Sequence, residues 1–143
     1  MCRLYLDNCC FNRPYDNQTN LLVQLETEAK LFIQQAILHK SFELVWSYIL
    51  DYENSVNPYH SRKQAIAKWK KIAVLDVDAS ETVINCGREI MLKGVKKKDA
   101  LHIASAIEGK CDYFLTTDKK LLGKTFDEII VISPIDFLKI LGL

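Results

Sequence analysis

The sequence predicts an α/β protein whose parallel sheet is covered by helices on both faces. Three observations carry that prediction. Strand-length runs such as RLYL, FELVW and DYFLT are near-continuous in apolar residues rather than alternating, which suits strands buried on both sides. Between them lie longer stretches with apolar residues at helical spacing. The two kinds of segment alternate without repeats, low-complexity tracts or Gly/Ser-rich linkers, so residues 1–143 read as a single domain.

Arg3-Leu4-Tyr5-Leu6 is the first strand and ends at Asp7. After Pro14, apolar residues at 21, 22, 25, 29, 32, 33, 36 and 37 predict a helix over Leu21–Leu38. Thr19 or Asn20 caps it, and Glu26–Lys30 is a favourable pair one turn apart. Phe42–Trp46 is the second strand. Ser47 then caps a helix from Tyr48 to Asn57, which Pro58 ends. A further helix runs from Ser61 to Lys71, and Ile72–Val77 is the third strand. Asp78 or Ser80 caps a helix through Leu92 that stops at Gly94. Asp99 to Glu108 is helical and closed by Gly109, and Asp112–Thr116 is the fourth strand. A helical turn holds Lys119 to Leu122. Ile129–Ile132 is the fifth strand, and Pro134 opens a last helix through Leu141.

Composition narrows the class. Nearly half the residues are apolar and about a quarter charged, the profile of a soluble globular protein. No apolar run approaches the ~20 residues of a membrane span. The start MCRLYLDNCCF lacks the layout of a secretory signal, so the cytoplasm is the expected location. The five cysteines form no CxxC pair and no zinc spacing, and read as free, buried thiols. Net charge is +1, so no global field advertises a nucleic-acid partner. The lysines are nonetheless clustered, at 68, 70 and 71, at 96–98, and at 119, 120 and 124.

In parallel sheets, ligands bind beyond the carboxyl ends of the strands, where strand order reverses. Asp7 stands just past strand one and Asp118 just past strand four; Glu53 lies on the helix after strand two, and Asp99 opens the helix that feeds strand four. Each has an ordinary reading as a turn residue, a solvated helix residue or, for Asp99, an N-cap. Together they read differently. Four converging carboxylates repel each other and persist only if something positive neutralises them. Oxygen-rich clusters suit Mg²⁺ or Mn²⁺, which bind phosphate oxygens and activate water for phosphodiester hydrolysis. Nearby lysines would hold the polyanion by its phosphates.

Four stretches carry a family likeness: LYLDNCCF (4–11), SYILDYEN (47–54), KKDALHIASAI (97–107) and CDYFLTTDKKLL (111–122). In order and spacing they resemble the acidic motifs of PIN-domain nucleases, including the VapC-type toxins of bacterial toxin–antitoxin pairs. IIVISPIDFL (129–138) is similar to the family's last strand and Pro-led helix. The resemblance covers essentially the whole chain. It implies a three-layer α/β/α sandwich around a central, mostly parallel five-stranded sheet, and a ribonuclease dependent on Mg²⁺ or Mn²⁺. It also implies a single-stranded RNA or DNA substrate, an antitoxin partner and a homodimer. By the same resemblance Asp7, Glu53, Asp99 and Asp118 are metal ligands and catalytic residues, with Asn8 and Thr116 orienting carboxylates or water. Lys96, Lys97, Lys98, Lys119 and Lys120 are the candidate nucleic-acid contacts. Asn8 departs from the Thr or Ser the family often has there. Asp51 competes with Glu53 but would face roughly 200° away on the helix, and the spacing from Ser47 favours Glu53.

His102, one turn after Asp99, reads as a residue that packs and hydrogen-bonds locally, with a supporting role. No GxGxxG or GxxxxGK[ST] occurs, which disfavours dinucleotide and P-loop chemistry. The competing class is a regulatory or binding module: a catalytically degenerate PIN-like fold, or a receiver domain phosphorylated after strand three at Asp76 or Asp78. A receiver needs an acidic pair after strand one, where LDNC supplies one acid.

Overall fold

The structure is a computed structural model that describes residues 1–142. The chain opens with β1 (Arg3–Leu6), the short helix α1 (Asn8–Asn12) and a 3-10 turn (Arg13–Tyr15). There follow α2 (Leu21–Leu38), β2 (Glu43–Ser47), α3 (Tyr48–Ser55), α4 (His60–Ile72) and β3 (Leu75–Val77). The rest is α5 (Glu81–Met91), α6 (Lys97–Glu108), β4 (Tyr113–Leu115), α7 (Lys119–Leu122), β5 (Ile130–Ile132) and α8 (Pro134–Ile140).

The five strands lie in the order β3-β2-β1-β4-β5, and every neighbouring pair is parallel. The three-layer α/β/α sandwich follows from the side-chain alternation of the central strands. Tyr5 of β1 stacks on Phe114 of β4 and meets His102 of α6. Val45, paired with Tyr5 in register, lies against Gly109 at the end of α6. These residues face the layer in which α5 packs on α6. The opposite face carries Trp46 against Phe11 and Tyr113 against Phe137, in the layer where α2 packs on α8. One buried core cluster runs through the sheet.

Caps set most helix starts. Asn20, Ser47, Ser80 and Ser133 each accept a hydrogen bond from the backbone N–H three residues on, and Pro134 occupies the first turn of α8. Three points differ from the sequence reading. The strand expected over Ile72–Val77 is only Leu75–Val77, because Ile72 completes α4 and the chain turns at Ala73. The stretch after Asp7, where no element was expected, winds into α1, with Cys10 and Phe11 buried. Asp99 does not cap its helix: α6 starts at Lys97, its cap position is Lys96, and no side chain bonds there. Among the described residues no helix is long and apolar enough to cross a membrane.

Candidate metal centre

The chain leaves β1 toward β2 on one side and leaves β4 toward β5 on the other. The crevice this opens lies beyond the carboxyl ends of β1 and β4. Asp7 stands at that point. Its backbone N–H donates to the Leu115 carbonyl at 2.9 Å, which ties the end of β1 to the end of β4. Its carboxylate is buried and accepts from the Asn8 N–H and the Thr116 hydroxyl, both at 2.8 Å, and from the Cys9 thiol at 3.5 Å. Thr116 Oγ1 also accepts from the Asp118 N–H at 3.1 Å. One hydroxyl therefore fixes Asp7 and the turn that carries Asp118.

Glu53 arrives on α3, whose first turn is held by Ser47. One of its oxygens accepts from Asn8 Nδ2 at 3.3 Å, and the other makes a close hydrogen bond with His102 Nε2. Asp51 is turned away, as the helix geometry requires: it accepts from Trp46 Nε1 at 2.8 Å and pairs with Lys70 at 3.1 Å. Burial pushes the Glu53 carboxyl up, but the hydrogen bond and charge of His102, helped by Lys98 and Asn8, outweigh it. The group ends below its usual value.

Asp99 registers the convergence. Burial, then the charges of Asp7 and Asp118, hold its carboxyl above the ordinary value; His102 opposes them and Glu53 adds to them. All three other candidate acids thus act on this one group. Asp99 and Asp118 line a common cleft of about 270 Å³ with Lys96, Lys120 and Lys124. Asp118 caps α7, accepting from the Lys120 N–H at 2.9 Å.

His102 is fully buried on α6. Its Nδ1 lies 2.6 Å from the Tyr5 hydroxyl, which lies 2.6 Å from Ser47 Oγ. Asp7, Glu53 and His102 each offer one ligand atom within 4.8 Å of the other two, a spacing that fits one cation. The contact between His102 Nε2 and the Glu53 carboxylate needs a proton between them. In this arrangement the imidazole holds Glu53 in place and the carboxylates supply the free lone pairs.

No family model matches the sequence, and none of the curated proteins does either. Among solved structures, the chain is similar to VapBC2 from Rickettsia felis, a complex solved bound to a DNA fragment from its promoter. The likeness has a TM-score of 0.55 at 17% identity and covers 90% of this chain and 96% of that one. The fold is PIN-like. At this identity the likeness is one of fold, and it agrees with the family the sequence resembles.

The PIN-like frame brings Asp7, Asn8, Glu53, Asp99, Thr116 and Asp118 to one crevice. The five expected lysines divide. Lys96 and Lys120 line the cleft with the acids, and Lys98 is close enough to act on Glu53. Lys97 lines a groove beside Tyr48 and α5, and Lys119 one between Arg13 and α8. Lys124, noted in the same lysine cluster but not among the five candidates, joins the cleft. Cys9 and the Tyr5–Ser47 pair were passed over. For His102 a signal existed, since three residues after Asp99 falls on the same helix face. A receiver arrangement is disfavoured by topology. Such domains place β3 inside the sheet, whereas here β3 is an edge strand and Asp76 pairs with Lys70.

Proposed function

We propose that this protein is a divalent-metal-dependent endonuclease that hydrolyses single-stranded RNA. The observation that carries the reading is the set of Asp7, Glu53, Asp99 and Asp118 at the β1/β4 crevice, with the Asp99 carboxyl raised by its burial and its acidic neighbours. A donor set made almost wholly of carboxylate oxygens fits Mg²⁺ or Mn²⁺. In this reading Asp7, Glu53, Asp99 and Asp118 hold the metal. When bound, the cation supplies Lewis-acid polarisation of the scissile phosphate and a water acidic enough to attack it. Thr116 and Asn8 fix the rotamers of Asp7 and Glu53, and His102 holds Glu53 from behind. Lys96, Lys120 and Lys124 grip the phosphates flanking the bond, with Lys98 on the Glu53 side.

A narrower form of the reading makes the protein the toxin of a toxin–antitoxin pair. It rests on the likeness to VapBC2 and on the sequence resemblance to VapC-type toxins. One experiment addresses both. Purified protein is incubated with fluorescent single-stranded RNA, with Mg²⁺ or Mn²⁺ or with EDTA, beside Asp7→Asn and Asp99→Asn variants, and each chain is expressed from an inducible promoter. The expected result is cleavage that EDTA and either substitution abolish, with growth arrest only from the parent chain. Cleavage unaffected by Asp7→Asn and Asp99→Asn would remove the centre as its cause. Cleavage without growth arrest would remove the toxin reading alone.

A further inference from the structure

Arg62 lies over the rings of two tyrosines. Its guanidinium carbon is 3.8 Å from the centre of the Tyr59 ring and 4.9 Å from that of Tyr15. The rings come from separate segments, the 3-10 turn after α1 and the residue that precedes α4. Both are exposed, Tyr59 by 54% and Tyr15 by 39%. Among the described residues no carboxylate pairs with Arg62, so its charge is answered only by ring faces. Holding these groups open to solvent does little for the core.

The stack is tied to the candidate metal centre through three asparagine side chains. Asn8 Nδ2 donates to Glu53, Asn12 Nδ2 donates to Asn8 Oδ1 at 3.2 Å, and Asn57 Nδ2 donates to Asn12 Oδ1 at 3.4 Å. Asn57 Oδ1 then accepts the Tyr59 backbone N–H at 3.0 Å. Each amide uses its oxygen for one neighbour and its nitrogen for the next. The relay sets where Tyr59 stands relative to Glu53. Exposed Tyr52, the residue before Glu53, has the Lys98 ammonium 5.8 Å from its ring centre. A second pairing of an aromatic face with a cation thus stands next to Glu53 in the chain.

We propose that Tyr15, Arg62 and Tyr59 form a base-stacking platform for an unpaired nucleotide of the RNA strand whose backbone crosses the candidate metal centre. The proposal rests on the nuclease reading above and adds a subsite to it. An unpaired strand presents a polyanionic backbone and one π-face per nucleotide, which is what a row of alternating cations and exposed rings receives. A duplex hides those faces in its own stack. Arg62 stands over both rings and holds them together, and their exposure leaves ring surface open to a base.

The test separates this subsite from the chemistry. Fluorescence anisotropy measures binding of a short labelled single-stranded RNA to the Asp7→Asn protein, alone and combined with Tyr59→Ala, Tyr59→Phe or Arg62→Ala. The same strands carry a single abasic ribose scanned along the sequence, and thermal melts check that each variant folds. Tyr59→Ala is expected to weaken binding by about 5- to 100-fold, while Tyr59→Phe, which keeps the ring, binds like the parent. One abasic position should abolish the difference between the parent and the Tyr59→Ala protein, because the lost base and the lost ring are the same contact. Equal binding by the Tyr59→Ala protein overturns the platform, as does a loss that no abasic position removes, or no binding by the parent. Cleavage by the wild-type chain is scored separately. If it is absent, the nuclease reading fails whatever the binding result; if it is present while Tyr59→Ala binds normally, only the platform fails.

Discussion

Tyr5, Ser47 and His102 come from three different elements and meet around one phenolic oxygen. Burial pushes the Tyr5 phenol well above its usual value, so it stays protonated. The His102 Nε2 proton is committed to Glu53, and Nδ1 shares a hydrogen bond with the Tyr5 hydroxyl. The Tyr5 hydroxyl is also hydrogen-bonded to the Ser47 hydroxyl, which accepts the Leu50 N–H. The chain is fully satisfied and ends on a candidate ligand. The sequence placed His102 on the Asp99 face in a supporting role, but its link to Tyr5, 97 residues away, was not legible there. Asp7 and Asp118 were legible because strand ends announce themselves. Lys30 is a residue the sequence misplaced, paired on paper with Glu26 but buried in the structure over the Phe11 ring. Desolvation lowers its ammonium from 10.5 to about 8. The folded pKa lies below the unfolded one, so the cost is complete below about pH 8 and is relieved as pH rises toward 10.5. Lys30→Met is expected to gain about 1–3 kcal/mol near neutral pH. Urea unfolding of both proteins at about pH 7 and about pH 10 checks this, since only the parent should become more stable on that pH change.

At the scale of elements, a long helix was bounded better than a short strand. An 18-residue amphipathic pattern such as α2 has many positions to agree on its period, and its bounds match Leu21–Leu38. Three-residue strands have few. IAVLDV could not divide itself between the last turn of α4 and β3, because an apolar run fits either. The α6–β2 contact carries a sharper constraint that only packing reveals. A Cβ on Gly109 would meet Val45 Cγ1 at 2.9 Å and the Ser105 carbonyl at 3.3 Å. Gly109→Ala is expected to cost about 1–3 kcal/mol by overpacking, read as a lower urea midpoint with an unchanged slope. Val45 is the register partner of Tyr5, so the shift would be felt on the strand that carries Asp7. The overpacking argument is lost if the midpoint does not move.

At the scale of the molecule, a net charge of +1 hides an uneven surface. On the nuclease reading, attraction for RNA would come from a few placed lysines rather than from a global field. If Lys96, Lys120 and Lys124 each meet one phosphate, log K for single-stranded RNA falls against log salt with a slope of about −2, and each Lys→Ala change reduces it by about 0.7. A much steeper slope, unmoved by these substitutions, would place the binding elsewhere. The strand order has another consequence, for the order of assembly during synthesis. Asp7 emerges ahead of the hydroxyl that fixes it, which belongs to Thr116, 109 residues later, and β4 must slot in beside β1 before the crevice exists. Such long-range closure comes late in folding. A nascent chain that has produced β1, β2 and β3 holds Asp7 and Glu53 with no Asp118 and no fourth strand to frame them. Whatever this centre does, the protein cannot begin doing it before the segment that carries β4 and Asp118 has been made.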